Sequence, residues 1–167
     1  MKFRILRFKK LKSTNNTAIR IIQNSNLKYG MIIADNQSHG RGQYGRKWVC
    51  FKGNLFVTFF YNLENLNLTL PQITKLNCLL VKKMISKYYK KKIIHKKPND
   101  LLIEGKKIGG ILQETINKIN EKFLIVGIGL NLVKNPIISN YPTINLNDLI
   151  NKKISKKKNY NGIKRYF

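Results

Sequence analysis

The segment from Leu55 to Tyr61 is almost entirely apolar on both of its alternating faces and is rich in aromatic and β-branched residues. Successive side chains of a β-strand point to opposite faces of the sheet, so this run predicts a strand that is covered on both sides. A sheet with such a strand needs at least one helical layer against it. The pattern therefore favours a protein that combines a β-sheet with helices.

Apolar runs elsewhere predict further strands and two helices. Segments at residues 3–8, 31–34 and 123–128 have the length and composition of strands. The polar stretch from Ser13 to Asn16 offers capping side chains to a helix that follows it. We expect a second helix to begin at Pro71 and to bury an apolar face that consists of Ile73, Leu76, Leu80, Met84 and Tyr88.

The sequence before residue 112 predicts a β-hairpin. Two apolar runs, at residues 101–103 and 108–112, flank the turn sequence Glu104-Gly105-Lys106. We expect Pro98 at a strand start or in a bulge, because its missing N–H is tolerated there. The same bend would bring together Lys96, Asn99 and Asp100.

A loop from Asp35 to Trp48 alternates glycine with cations. Its glycines permit positive φ and close approach of a ligand to the backbone, while its arginines and lysine supply positive charge. The loop therefore predicts an anion-binding site, and a basic surface turn is the alternative. The spacing Gly40, Gly42, Gly45 also fits a dinucleotide fingerprint, but a strand pattern follows where that fingerprint requires a helix. A kinase loop is excluded because no H-R-D or D-F-G sequence occurs downstream.

The charge of the chain is strongly positive. Lys and Arg total 33 residues against seven acids, which gives a net charge of +26. Such an excess indicates either an anionic partner or a compositional drift toward lysine. Cys50 and Cys78 are isolated from each other and from any ligand cluster, so we expect no disulfide and no metal-ligating set.

The length of 167 residues is that of one domain. The N-terminus scatters cations among its apolar residues, which is not the pattern of a signal peptide, and no apolar run approaches the length of a membrane span of about 20 residues. The sequence therefore predicts a cytoplasmic protein without a membrane partner.

Five motifs occur in order between residues 13 and 131. They are Ser13-Thr14-Asn15; Gln37 followed by Gly40-Arg41-Gly42-Gln43-Tyr44-Gly45-Arg46-Lys47-Trp48; Lys96-x-Pro98-Asn99-Asp100-Leu101; Lys107-Ile108-Gly109-Gly110-Ile111-Leu112; and Gly127-Ile128-Gly129-Leu130-Asn131. This set resembles the biotin protein ligases of the biotin/lipoate ligase family. The resemblance implies an α+β fold, in which helices pack on a mixed β-sheet as in the catalytic domain of class II aminoacyl-tRNA synthetases.

The resemblance also implies a two-step reaction. Biotin and ATP, with Mg²⁺, would form biotinyl-5′-AMP, and a lysine of the biotin carboxyl carrier protein of acetyl-CoA carboxylase would then accept the biotin. The implied catalytic residues are Lys96 and Arg41. The implied biotin contacts are Ser13, Thr14, Asn15, Gln37, Gly40, Arg41, Gly42, Gln43, Lys96 and Gly110. The implied nucleotide contacts are Arg41, Gly42, Gln43, Arg46, Lys47, Trp48, Lys96, Asn99 and Asn131.

In domain terms, the resemblance implies a catalytic domain over residues 1–150 and a basic C-terminal tail over residues 151–167. We expect no complete C-terminal β domain and no N-terminal DNA-binding domain, and hence no specific DNA binding; a homodimer is left open. One alternative function is that of a lipoate or octanoate transferase with the same fold. The other is that of a basic nucleic-acid-binding protein that uses its lysine-rich faces.

Overall fold

The computed structural model describes residues 3–64 and 68–151, and these residues form a mixed seven-stranded sheet with helices. The strand order is β1-β2-β3-β7-β6-β5-β4. The first two strands are parallel, whereas the pairs β2–β3, β4–β5 and β5–β6 are antiparallel. The strands are β1 (Arg4–Phe8), β2 (Tyr29–Ala34), β3 (Leu55–Asn62), β4 (Ile94–Lys96), β5 (Asp100–Ile103), β6 (Lys106–Lys118) and β7 (Glu121–Leu130). The expected α+β class is confirmed.

Three α-helices accompany the sheet. They are α1 (Thr14–Asn24), α2 (Leu70–Ile85) and α3 (Leu146–Ile150), and a short 3₁₀ helix occupies Gln43–Gly45. The cap predicted for α1 is confirmed, since the Ser13 side chain accepts a hydrogen bond from the Asn16 N–H. The sequence pattern after Pro136 did not predict α3, which is only five residues long and is capped by Asn145.

The chain divides into two compact units. Unit 1 contains the described parts of residues 1–50, 56–68 and 112–128, and unit 2 contains those of residues 51–55, 69–111 and 129–167. In unit 1, helix α1 buries Ala18 and Ile22 against Ile32 of β2, Phe60 of β3 and residues of β7. Strand β3 is buried along nearly all of its length, as its two apolar faces predicted.

The apolar face predicted for α2 is wrong in part. The helix exists and Thr69 forms a capping box with Gln72 at its start. However, Leu76 is 44% exposed and Leu80 is half-buried, and Tyr88 lies beyond the end of the helix. The buried positions are Ile73, Asn77, Cys78, Val81, Met84 and Ile85. Packing thus selects a stripe that includes an asparagine, because neighbouring contacts rather than local periodicity decide which side of an apolar helix faces inward.

The predicted hairpin is confirmed, with β5 and β6 joined by a turn in which Glu104 and Gly105 have φ of 50° and 74°. The expectation for Pro98 is wrong. This residue lies in the turn between β4 and β5, after a cis peptide bond, and the register shift falls between Leu101 and Leu102 instead. A turn between strands accommodates proline because no ladder hydrogen bond is required from its nitrogen.

Both cysteines are free thiols. Burial raises the pKa of the Cys78 thiol to about 12, and the nearby negative charge of Asp100 acts in the same direction. Within the described residues, the helices are all too short or too polar to cross a bilayer. The tail predicted at residues 151–167 lies outside the described residues except for Asn151.

Candidate functional site

Gln37 is placed beside the start of α1 by a backbone ladder. The segment after β2 runs next to residues 8–12, with hydrogen bonds that include Asp35 N–H to the Phe8 carbonyl at 3.0 Å and His39 N–H to the Lys12 carbonyl at 2.8 Å. The Gln37 Oε1 atom then accepts from both the N–H and the hydroxyl of Thr14, at 2.7 and 2.9 Å. The first two motifs of the sequence therefore meet in unit 1.

The Ser13 and Thr14 hydroxyls are engaged within the protein. The two residues are only 2% and 5% exposed. The Ser13 hydroxyl caps α1, and the Thr14 hydroxyl donates to Gln37. A ligand that contacts Thr14 would therefore share the hydroxyl with Gln37.

Asn15 lies at the centre of a buried polar network. Its Oδ1 atom accepts from the Thr58 hydroxyl at 2.7 Å, and its Nδ2 atom donates to Glu114 Oε2 at 2.8 Å and to the Leu112 carbonyl at 3.4 Å. A Cβ atom at Gly127 would overlap the Asn15 amide oxygen, so the glycine at this position leaves room for the asparagine. Residues of three strands, β3, β6 and β7, thus fix the Asn15 amide on α1.

The glycine loop closes into a small hairpin. The Gly42 N–H donates to the Arg46 carbonyl at 2.7 Å, and the Trp48 N–H donates to the Gly40 carbonyl at 2.9 Å. A Cβ atom at Gly40 would lie 2.5 Å from the Trp48 carbonyl oxygen, so only glycine allows this approach. At the tip, Tyr44 and Gly45 have φ of 55° and 72°.

Arg41 connects this loop to two other elements of unit 1. Its Nη1 atom donates to Asn16 Oδ1 on α1, and its Nη2 atom forms an ion pair with Glu114 Oε1 on β6, both at 2.5 Å. The other two cations of the loop, Arg46 and Lys47, are exposed. The loop therefore combines exposed cationic side chains with a hydrogen-bonded backbone, an arrangement that suits the binding of an anion.

Cys50 lies behind the same loop. Its sulfur accepts from Gln37 Nε2 and its thiol donates to the Trp48 carbonyl, both at 3.4 Å. Burial raises the pKa of this thiol. The Gln37 oxygen accepts from Thr14, and the Gln37 amide N–H donates to the Cys50 sulfur. Together these contacts fix the orientation of the Gln37 amide.

A second polar group lies in unit 2, around Asp100. One oxygen of this carboxylate pairs with Lys107 Nζ at 2.7 Å, and the other accepts from the Tyr141 hydroxyl at 2.6 Å. Lys96 is exposed and opposes Asp100 in the β4–β5 register, with its ammonium 4.9 Å from the centre of the Tyr141 ring. The bend predicted for Lys96, Asn99 and Asp100 is present.

Other residues implied by the resemblance have structural contacts in unit 2. Asn99 donates to the Ile111 carbonyl at 2.6 Å, and Gly110 is buried in β6, where it is paired with Asp100 in the sheet register. Asn131 is 2% exposed, and its N–H donates to the Ile108 carbonyl at 2.8 Å. The buried Asn54 holds the segment after Asn131, as its oxygen accepts from the N–H groups of Leu132, Val133 and Lys134.

The predicted site residues therefore fall into two groups, each described within its own unit. Unit 1 holds Ser13, Thr14, Asn15, Gln37, Gly40, Arg41, Gly42, Gln43, Arg46, Lys47 and Trp48, and unit 2 holds Lys96, Asn99, Gly110 and Asn131. Sequence reasoning gave no role to Glu114 or Lys107. For Glu114 the available signal was the scarcity of acidic residues, because the chain has only seven of them and a net charge of +26. Groups of three or more His, Cys, Asp or Glu that could hold a metal ion are absent from the described part of the chain.

Known proteins are similar to this chain in sequence and in fold. The sequence pattern of the Biotin/lipoate A/B protein ligase family matches residues 7–131. The Bifunctional ligase/repressor BirA of Bacillus subtilis is 32% identical over 128 residues, which are 75% of this chain and 39% of the relative. A Biotin--[acetyl-CoA-carboxylase] ligase from Paracoccus denitrificans is 31% identical over 108 residues, 63% of this chain and 45% of the relative. The chain thus spans less than half the length of these two proteins.

A solved structure agrees with this likeness. The biotin protein ligase from Aquifex aeolicus in complex with biotin and ATP superposes with a TM-score of 0.82 at 26% sequence identity. The match covers 98% of this chain and 68% of that one.

Proposed function

Because the chain belongs to the biotin/lipoate A/B protein ligase family, we propose that it activates biotin with ATP and transfers it to a carrier-protein lysine. In the first step the biotin carboxylate attacks the α-phosphorus of ATP, giving biotinyl-5′-AMP and pyrophosphate. In the second step the lysine amine attacks the acyl carbon, so that an amide forms and AMP leaves. The observation that carries the proposal is Arg41, a cation on a glycine hairpin that is held next to the buried Thr14 and Asn15 and the half-buried Gln37.

The residues of unit 1 suit the recognition of biotin and the adenylate. Biotin combines a neutral bicyclic urea with an anionic tail, and it therefore needs oriented amide or hydroxyl groups as well as a cation. Thr14, Asn15 and Gln37 supply the first kind of group in fixed orientations. Arg41 supplies the cation, and the backbone from Gly40 to Gln43 allows close approach of a phosphate. Arg46, Lys47 and Trp48 are proposed to contact the nucleotide.

The residues of unit 2 suit the charge that develops during adenylation. A lysine ammonium is a mobile point cation that can follow non-bridging phosphate oxygens. We assign this role to Lys96, which is exposed and has its ammonium over an aromatic ring rather than in a short carboxylate pair. Lys107 is held in such a pair by Asp100. Asn99, Gly110 and Asn131 are proposed to line the binding surface.

The remaining partners follow from the reaction. We take Mg²⁺ as part of the MgATP substrate, since ATP-bound Mg²⁺ is commonly held by phosphates with few protein ligands. The acceptor is proposed to be the biotin carboxyl carrier protein of acetyl-CoA carboxylase, in agreement with the name of the Paracoccus relative. The alternative substrate is lipoate, which the family description also includes.

The test compares Lys96→Met with Lys97→Met. Methionine keeps most of the aliphatic stem and deletes the ammonium in both cases. Loss of one preorganised electrostatic contact at a developing charge typically costs about 100- to 1,000-fold in rate. We expect that loss for Lys96→Met in biotin-dependent pyrophosphate release. Lys97→Met is the matched control, because Lys97 is also exposed and adjoins Lys96 in the chain, and it should stay within a few-fold of wild type.

Circular dichroism and thermal melting would verify that both variants are folded. Activity of Lys96→Met within a few-fold of wild type would contradict the role of Lys96. Pyrophosphate release by the wild-type protein with lipoate, and none with biotin, would replace biotin by lipoate as the substrate.

A further inference from the structure

Glu114 lies between the two parts of unit 1 that are proposed to contact the substrate. Its Oε2 atom accepts from Asn15 Nδ2 at 2.8 Å, and its Oε1 atom pairs with Arg41 Nη2 at 2.5 Å. Both oxygens of the carboxylate are thus used, one by a buried amide on α1 and the other by the cation of the glycine loop. The Glu114 side chain is 21% exposed, so solvent screens these interactions less than on an open surface.

Through the other contacts of Arg41, the Arg41–Glu114 ion pair holds the glycine loop in position. The guanidinium reaches Asn16 on α1 through Nη1 and Glu114 on β6 through Nη2. The backbones of Arg41 and Lys47 also form an antiparallel β-bridge across the loop hairpin, which is closed by backbone hydrogen bonds. Fixing the Arg41 side chain therefore fixes the loop relative to α1 and β6 before any ligand arrives.

The Arg41 guanidinium still has hydrogen-bond donors left after these contacts. It carries five N–H groups, of which the bonds to Asn16 and Glu114 use two. Arg41 can therefore keep its bond to Glu114 and still donate to an anionic ligand. The pair does not need to break for Arg41 to act.

We propose that Glu114 is a positioning residue that preorganises Arg41 and Asn15 for substrate binding. The proposal rests on the proposed function, and it adds a residue that the sequence motifs left without a role. A loop that is already in place has a smaller ordering cost when the ligand binds. Removing the negative charge should therefore weaken binding far more than it slows the chemical step.

The decisive variant is Glu114→Gln. Glutamine has the same size and keeps an oxygen that can accept from Asn15, but it places an NH₂ group against Arg41. The matched control is Glu121→Gln in β7, because Glu121 forms an ion pair with Lys28 at 2.5 Å in the same unit, with side chains that are 27% and 52% exposed. The control thus removes a short ion pair that does not involve the loop.

The first readout uses the protein without ligands. Cleavage by trypsin after Arg46 and Lys47 follows the population of open loop when opening is fast. We expect Glu114→Gln to speed this cleavage about five- to tenfold, while Glu121→Gln leaves it at the wild-type rate. Arg41→Gln should produce the same acceleration as Glu114→Gln. The double variant should show no further increase, because both changes break one link.

The second readout separates binding from chemistry. In biotin-dependent pyrophosphate release, Glu114→Gln should raise the KM for biotin about five- to tenfold through the reduced fraction of competent loop. Its kcat should remain within about twofold of wild type, as expected for lost uniform binding. A general weakening of the fold would lower the melting temperature without this split.

Unchanged trypsin cleavage in Glu114→Gln would overturn the proposal, and so would a fall in kcat at constant KM. If Glu114→Gln does not fold, Arg41→Gln tests the same link from its other end, and loop cleavage at the wild-type rate in that variant would also overturn it. Failure of the wild-type protein to release pyrophosphate would count against the proposed function. The cleavage comparison would still decide whether Glu114 holds the loop, since it requires no activity.

Discussion

At the scale of single residues, Asn54 fixes a stretch of backbone that it adjoins only in three dimensions. It is 0% exposed, and its oxygen accepts from the N–H groups of Leu132, Val133 and Lys134 at 3.0 to 3.2 Å. Asn54→Ala would leave these donors without an acceptor. Each unsatisfied buried donor costs about 1–3 kcal/mol, with partial relief by water, so we expect a loss of about 2–4 kcal/mol in the free energy of unfolding. Urea denaturation would measure it.

The control for this prediction is Asn24→Ala. Asn24 is exposed and donates only to the Arg20 carbonyl within α1, so its removal should change stability by less than about 0.5 kcal/mol. Equal losses in both variants would show that the buried contacts of Asn54 carry no special weight.

Two hydrogen bonds at the start of α1 differ in how far the sequence could predict them. The Ser13 cap was predictable, because its partner lies three residues away. The bond from Asn15 to Glu114 was not, because 99 residues separate the two side chains. A polar residue on a strand has no local pattern that reveals its partner, and Glu114 lies two residues beyond the recognised motif Lys107–Leu112, so it had no assigned role.

At the scale of elements, α2 was predicted to exist, and its inward face was predicted wrongly in part, since Ile73 and Met84 are buried as expected. Its apolar residues cover more than one side, and Leu76 and Leu79 are 44% and 48% exposed while Asn77 is buried. Periodicity identifies a helix, but it cannot choose between adjacent apolar stripes. That choice depends on the strands against which the helix packs.

The start of α2 gives an element-scale prediction. The Thr69 hydroxyl oxygen accepts from the Gln72 N–H, and the Thr69 N–H donates to Gln72 Oε1 in return, which completes a capping box. Thr69→Ala should lower the free energy of unfolding by about 1 kcal/mol, which thermal melting would detect. Thr74→Ala is the control within the same helix. Thr74 bonds only to the Leu70 carbonyl, and alanine is the better helix former, so stability should be unchanged or slightly higher.

At the scale of the whole molecule, the strand order β1-β2-β3-β7-β6-β5-β4 could not be predicted from local patterns. Six of the strands were predicted from their own apolar residues, whereas β4 was not. Strands β3 and β7 are neighbours in the sheet although most of the described chain between them forms other elements. The resemblance supplied the mixed sheet, and the physical pattern alone supplied only strands and helices.

The net charge of +26 gives a prediction for the whole molecule. If this charge steers an acidic carrier protein, biotin transfer at low carrier concentration should fall steeply between low and physiological salt. Ions screen exposed charges beyond about 8–10 Å under those conditions. The adenylation step, which uses small ligands, should change less. Transfer and pyrophosphate release would be measured across the same salt series.

Equal salt sensitivity of the two steps would contradict steering by the carrier. The charge would then be explained by the drift in composition toward lysine. A neutral small-molecule amine as acceptor is the control, because it has no acidic surface to be steered.

The close approach of Gly127 to Asn15 restricts which substitutions the two positions can accept. Any larger residue there would overlap the amide oxygen of Asn15, and any smaller residue at position 15 would abandon Thr58 and Glu114. Each single change is therefore penalised while the other position keeps its present residue. The two positions form an epistatic pair, so a lineage must pass through a less fit intermediate or retain both residues together.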